Sequence, residues 1–200
     1  MNTGIRAVTV YCSSSKKVAP IYSTTAAELG KGIAQRGWKL IYGGNHVGCM
    51  ACLADGARAG GGQIIGITPQ LLVNKGIADH QCDELLITTG MRERKAIMEQ
   101  RGDAFIALPG GIGTLEEVFE ILVGRHLGFH NKPIVLLNVA NFYDPLLHML
   151  QHGLEQGFIR EGTTELMFVT AKVEAALNYL QHHADSAPSV PAQTLPPRIE

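Results

Sequence analysis

The chain is short of several things, and each shortage removes a class of function. No apolar run in its 200 residues approaches the roughly 18 needed to span a bilayer, so no membrane partner is expected. The formal net charge is −1, with no basic excess that would suggest a nucleic-acid partner. The opening MNTGIRAVTVYCSSS lacks the charged and apolar regions of a signal peptide, and a cytoplasmic location is expected. Four cysteines are present, Cys12, Cys49, Cys52 and Cys82. Cys49-Met-Ala-Cys52 has no second CxxC to complete a zinc site, so it reads as small buried residues on a helix. His126/His130 and His148/His152 stand four apart, but no HExxH exists and no metal is expected.

What is there is an ordinary soluble composition, 46% hydrophobic and 18% charged, at a length that makes one domain with a proper core. Short apolar strands alternate with helices. Strands are expected at Ala7–Cys12, Trp38–Tyr42, Gln63–Thr68, Glu84–Thr88, Ala104–Leu108, Pro133–Asn138 and Leu166–Thr170. Helices are expected from Pro20 to Arg36, up to Ala59, and over Met91–Gln100, Thr114–Leu127, Asp144–Gln156 and Ala171–His183, with residues 70–83 irregular. The pattern predicts an α/β fold, a doubly wound, mostly parallel sheet with helices on both faces. Residues 1–183 form the single domain, and the Pro-rich stretch 184–200 is expected to be a disordered tail.

In such a sheet, ligands sit beyond the carboxyl ends of the strands. Three ends are unusual: Ser13-Ser14-Ser15, Gly43-Gly44-Asn45-His46-Val47-Gly48, and Pro109-Gly110-Gly111-Ile112-Gly113-Thr114. Glycines let backbone approach a ligand, and the helix that follows offers unpaired N–H groups, which suits a phosphate. No Lys follows the last glycine as a Walker A loop requires, and Glu116 stands where a dinucleotide fingerprint needs glycine.

Glu116, Glu117 and Glu120 follow that loop. Acids favour helix N-termini for dipole reasons alone. An acid beside a phosphate also suits a ribose 5-phosphate, whose anomeric carbon turns cationic when a glycosidic bond breaks. In the helix before the loop, Met91-Arg-Glu-Arg94-Lys95 reads either as a solvated basic face partnered by Glu93 and Glu99, or as a fork for phosphate or base.

Together, Gly43-Gly44-x-x-x-Gly48-x-Met50, Met91-x-x-Arg94-Lys95 and Pro109-Gly110-Gly111-x-Gly113-Thr114-x-x-Glu117 resemble one family in order and spacing. It is the "lonely guy" (LOG) family of cytokinin-activating enzymes, often mislabelled as lysine decarboxylases, and the resemblance runs from about residue 5 to 182. It implies a Rossmann-like fold, a homo-oligomer (most simply a dimer), no cofactor, and hydrolysis of a nucleoside 5′-monophosphate to free base and ribose 5-phosphate. It also implies that Arg94 and Glu117 are the catalytic pair. The expected substrate contacts are Ser13, Gly43, Gly44, Gly48, Met91, Lys95, Pro109, Gly110, Gly111, Ile112, Gly113, Thr114 and Glu116. Four positions depart from the family pattern. Asn45 replaces its third glycine, Ala51 its last glycine, Arg92 a common His, and Val123 a common Thr. The competing reading is a carrier of the same fold that binds a nucleotide or molybdenum cofactor without cleaving it.

Overall fold

Residues 4–186 are described by the computed structural model, with side chains through residue 183. β1 (Ala7–Tyr11) runs through the serine loop to α1 (Pro20–Gln35). Pro20 opens that helix with its preset φ, and Gly37, at φ 68°, turns the chain away just after its end. β2 (Lys39–Tyr42), α2 (Gly48–Ala59) and β3 (Ile64–Pro69) follow as expected. The stretch read as irregular begins with a short helix, α3 (Gln70–Asn74), before β4 (Glu84–Thr88). At five residues, α3 is too short to show the periodicity that marks a helix in sequence.

Then come α4 (Met91–Arg101), β5 (Ala104–Ala107), α5 (Ile112–His126) and β6 (Ile134–Leu137). The described elements end with α6 (Asp144–Glu155), β7 (Met167–Thr170) and α7 (Val173–Ser186). α7 runs three residues past the expected end at His183, and the rest of the Pro-rich segment lies outside the described residues.

The strands form one sheet in the order β4-β3-β2-β1-β5-β6-β7, and every pairing is parallel. Both faces are covered, so inward residues alternate between two cores rather than between core and water. Val8 and Val10 of β1 face a core completed by Leu29 and Ile33 of α1, Leu53 of α2 and Leu177 of α7. Ala7 and Tyr11 face the other, with Met98 of α4, Val118 and Ile121 of α5 and Leu150 of α6. Each fully buried Leu or Ile contributes roughly 1.5–3 kcal/mol. Thr9 is a buried polar residue on β1, and its hydroxyl donates to the Met98 carbonyl at 2.9 Å.

The chain winds one way from β1 through β4, then returns to place β5 on the opposite side of β1. That reversal leaves a crevice at the carboxyl ends of β1 and β5. The serine loop and the glycine loop open into it.

Candidate active site

A cavity of about 440 Å³ occupies the crevice, within the range of small-molecule sites. Its wall draws on all three unusual strand ends: Cys12 to Ser15 after β1, Asn45, Val47 and Met50 after β2, and Gly111 to Thr114 after β5. Arg94 and Glu117 stand between them.

α5 begins at Ile112, two residues earlier than its sequence suggested, with Gly111 as N-cap and no side-chain cap. Its first internal bond is Leu115 N–H to the Gly111 carbonyl at 3.0 Å, so the N–H groups before it point out of the helix. An uncapped helix start with its positive dipole end has the geometry that suits an anion. The loop is held from behind. Leu108 N–H donates to the Tyr11 carbonyl at 2.9 Å, and the buried Tyr143 hydroxyl donates to the Leu108 carbonyl at 2.7 Å. Burial pushes the Tyr143 phenol well above its ordinary ionisation, so it remains a donor.

One turn into α5, Glu117 Oε1 accepts from Arg94 Nη1 at 2.7 Å. The side chains are only 7% and 4% exposed. Arg94 is therefore not part of a solvated basic face. Its Nε donates to the Ile67 carbonyl at 3.0 Å, which fixes the plane of the guanidinium. Burial raises the Glu117 pKa, and the adjacent Arg94 charge offsets that only in part. Glu117 Oε2 has no protein partner among the described residues, and Glu117 is one of the residues that line the cavity. The guanidinium also lies directly against Gly43, where an added Cβ would collide with Arg94 Nη2.

Lys95, the next residue, turns the other way. Its ammonium bonds Glu116 and lies 3.1 Å from Glu120 Oε2, on the outer side of the α4–α5 contact. The Glu116 bond raises the Lys95 pKa despite some desolvation.

The arm after β2 is clipped to residues 77–79. Asp79 N–H donates to the Gly44 carbonyl at 2.9 Å, and His46 N–H to the Ile77 carbonyl at 2.8 Å. Burial opposes the Asp79 charge. Bonds from the Tyr42 hydroxyl at 2.7 Å, Gln81 N–H at 3.0 Å and Arg58 Nη2 at 3.0 Å outweigh that and hold its carboxyl below the usual range. The clip carries Ile77 into the cavity wall, and Leu72 of α3 lines it as well.

Of the residues expected at the site, Ser13, Met91, Arg94, Gly111, Ile112, Gly113, Thr114 and Glu117 line this cavity. Pro109 and Gly110 instead line a second, apolar cavity of about 310 Å³ with Val18, Tyr22 and Phe142, which also touches Ser13 and Gly111. Gly43 and Gly44 are buried beneath the site. Gly48, at φ 55°, sits against the Ser14 and Ser15 backbone, where a Cβ would come within 2.6 Å. Lys95 and Glu116 form the outer clamp. Val123 is exposed and lines a separate groove, so its departure from the family pattern does not touch the cavity. Arg92 is likewise exposed on α4. Leu72 and Ile77 carried no sequence signal. Cys12, in sequence only the last residue of the first apolar strand, also forms part of the wall.

A family model described as "Possible lysine decarboxylase" matches residues 50–180. A protein of Mycobacterium tuberculosis named cytokinin riboside 5′-monophosphate phosphoribohydrolase is 45% identical over 88% of this chain and 93% of its own length. The chain belongs to this family. A Rhodococcoides fascians protein of the same name is 42% identical over 86% of this chain and 87% of its own. Among solved structures, the molybdenum cofactor binding protein of Rippkaea orientalis superposes with a TM-score of 0.69 at 25% identity, covering 88% of this chain and 96% of that one. The fold is thus shared by phosphoribohydrolases and cofactor-binding proteins.

Proposed function

We propose that this chain hydrolyses the N-glycosidic bond of adenine-type nucleoside 5′-monophosphates, prenylated cytokinin nucleotides or AMP, releasing free base and ribose 5-phosphate. The observation that carries the reading is the buried Arg94–Glu117 pair one turn behind an uncapped helix start. The phosphate seats on the N–H groups at Ile112 to Thr114. Glu117 then lies level with the ribose, where its free oxygen accepts hydroxyls and stabilises positive charge growing at C1′. Water adds its oxygen to C1′, and the C1′–N bond breaks with its electron pair leaving on the base. A water proton ends on the base. Arg94 holds Glu117 in place and helps the base depart.

A decarboxylase reading would need Lys95 as a free amine to form a Schiff base. Lys95 is instead held as an ammonium between two carboxylates, away from the cavity wall.

The likeness to a molybdenum cofactor binding protein favours a second reading, a carrier that binds without cleaving. Chromatography of AMP and isopentenyladenosine monophosphate after incubation with the protein separates the two. Free base is expected, and nucleotide that binds tightly yet stays intact would establish the carrier instead.

The protein acts in the cytoplasm as a homodimer in this reading. In support, no helix among the described residues is long and apolar enough to cross a membrane. An apolar groove between α5 and α6, lined by exposed Val123, Leu127 and Phe158, suits contact with a second copy. Sedimentation should give twice the chain mass.

A further inference from the structure

Asn45 is 3% exposed and belongs to the cavity wall. It stands where the family pattern has a glycine, so its side chain adds a group to the site that glycine cannot supply. The side chain is pinned: the Thr68 hydroxyl donates to Asn45 Oδ1 at 2.9 Å, and both residues are buried. The backbone is fixed as well, since Asn45 bridges Ala78 in the antiparallel clip. With its oxygen engaged, the amide nitrogen has no protein partner among the described residues. That nitrogen is not among the fully enclosed unpartnered polar atoms of the described residues, so it keeps an opening to the cavity, where its two hydrogens are offered to an acceptor on a ligand.

Position in the sheet identifies the acceptor. The anion seat follows β5, while Asn45 follows β2, two strands away across β1. Two strand spacings are about 10 Å. That is the span of a nucleotide from its phosphate across the ribose to its base. Around Asn45 the wall is apolar, with Val47, Met50, Leu72, Ile77 and Met91, as a flat ring would need. A ring in this compartment would be held by its faces, with the Asn45 amide as a directional polar contact at its edge.

We propose that Asn45 is a specificity-determining residue whose amide donates to a ring nitrogen of the purine base. This rests on the nucleotide-hydrolase reading for the identity of the ligand. The Thr68 hydroxyl is its positioning partner, since it decides which end of the amide faces the cavity.

The test uses the affinity of the full chain for AMP and for its 1-deaza, 3-deaza and 7-deaza analogues, each lacking one ring acceptor. The wild type should bind one analogue about 3- to 12-fold more weakly than AMP, the range of one net hydrogen bond, and the other two nearly as well. In Asn45→Asp, which keeps the shape and replaces the donor with an acceptor, that ratio should fall to one. Asn45→Gly should do the same, and Thr68→Val should reduce it part of the way. A merely structural Asn45 would weaken AMP and all three analogues alike.

Two-dimensional amide spectra of the wild type supply a reading that needs no variant to fold. The Asn45 side-chain NH₂ signals should move with AMP and stay near their free positions with ribose 5-phosphate. Equal affinity of the wild type for all four nucleotides, a ratio unchanged in the Asn45 variants, or equal NH₂ shifts with both ligands would overturn the assignment. Base release is measured separately. Ring discrimination without base release would sink the hydrolase reading and keep Asn45, and base release without Asn45-dependent discrimination would do the reverse.

Discussion

Arg94 and Lys95 are neighbours on α4, and both reach carboxylates on α5, yet their pairs live in different surroundings. Arg94 and Glu117 are almost wholly enclosed. Lys95 is 11% exposed, but its partners Glu116 and Glu120 are 53% and 47% exposed. In water, an ion pair is screened and contributes little. In an enclosed wall, the same charges are costly to bury and exert strong fields on whatever shares the space. Two adjacent cations thus stand in different places: one lines an enclosed cavity wall, and the other ties two helices together from outside.

The largest effect expected from this contrast is on the enclosed side. Glu117→Gln keeps the shape, removes the charge, and should lower turnover by at least about 10²- to 10⁴-fold while the melting profile stays cooperative. Base release at near-wild-type rate would sink the role assigned to Glu117. Next comes Gly43→Ala, whose Cβ collides with the Arg94 guanidinium. Displacing the guanidinium should cost about 10² in kcat/KM, because misplacements near 1 Å have that effect.

pH separates the pairs in a third way. In the proposed reaction Glu117 must be ionised to stabilise a cationic C1′, and burial raises its pKa. Activity is therefore lost as pH falls through a value above the ordinary glutamate pKa of about 4.3. The acid limb of kcat/KM should have its midpoint there. A midpoint at or below the ordinary value would contradict the buried-carboxylate account.

Asp79 provides the opposite sign. Its folded pKa is lowered, so its stabilisation is present above the unfolded value of about 3.9 and fades as pH falls through the lower folded one. Asp79→Asn should cost about 1–3 kcal/mol in urea unfolding at neutral pH, and the cost should shrink as pH falls below the unfolded value. The smallest effect belongs to the clamp. Glu116→Gln should cost about 0.2–1 kcal/mol and less still at high salt, and a larger loss would show that the outer pair is not simply a solvated one.

Much of this was legible in the residues. The strand-helix alternation gave the sheet, and the glycine spacing with the acids behind it pointed to the loop and the Glu117 that the structure brings to one cavity. Arg94 was ambiguous, because a charged helix such as MRERKAIM looks the same whether it faces water or a cavity. Only the long-range approach of α4 to β3 and α5 decides that. Leu72 and Ile77 were illegible for a related reason. They come from a stretch with no periodicity; Leu72 lies on a helix of five residues, and a backbone clip to the Gly44–His46 arm brings Ile77 to the wall. Sequence patterns register the elements that bury themselves, and they are silent about segments held in place by another segment's backbone.

The Tyr143 hydroxyl, fixed on the Leu108 carbonyl just ahead of the glycine loop, has a consequence for motion. A glycine-rich segment left to itself would sample many shapes, and a ligand would have to select one at an entropic cost. With Leu108 tethered on both its N–H and its carbonyl, that selection is made during folding. In the proposed site the loop would meet its ligand already ordered, and slow amide exchange around Leu108 would be its signature before any nucleotide arrives.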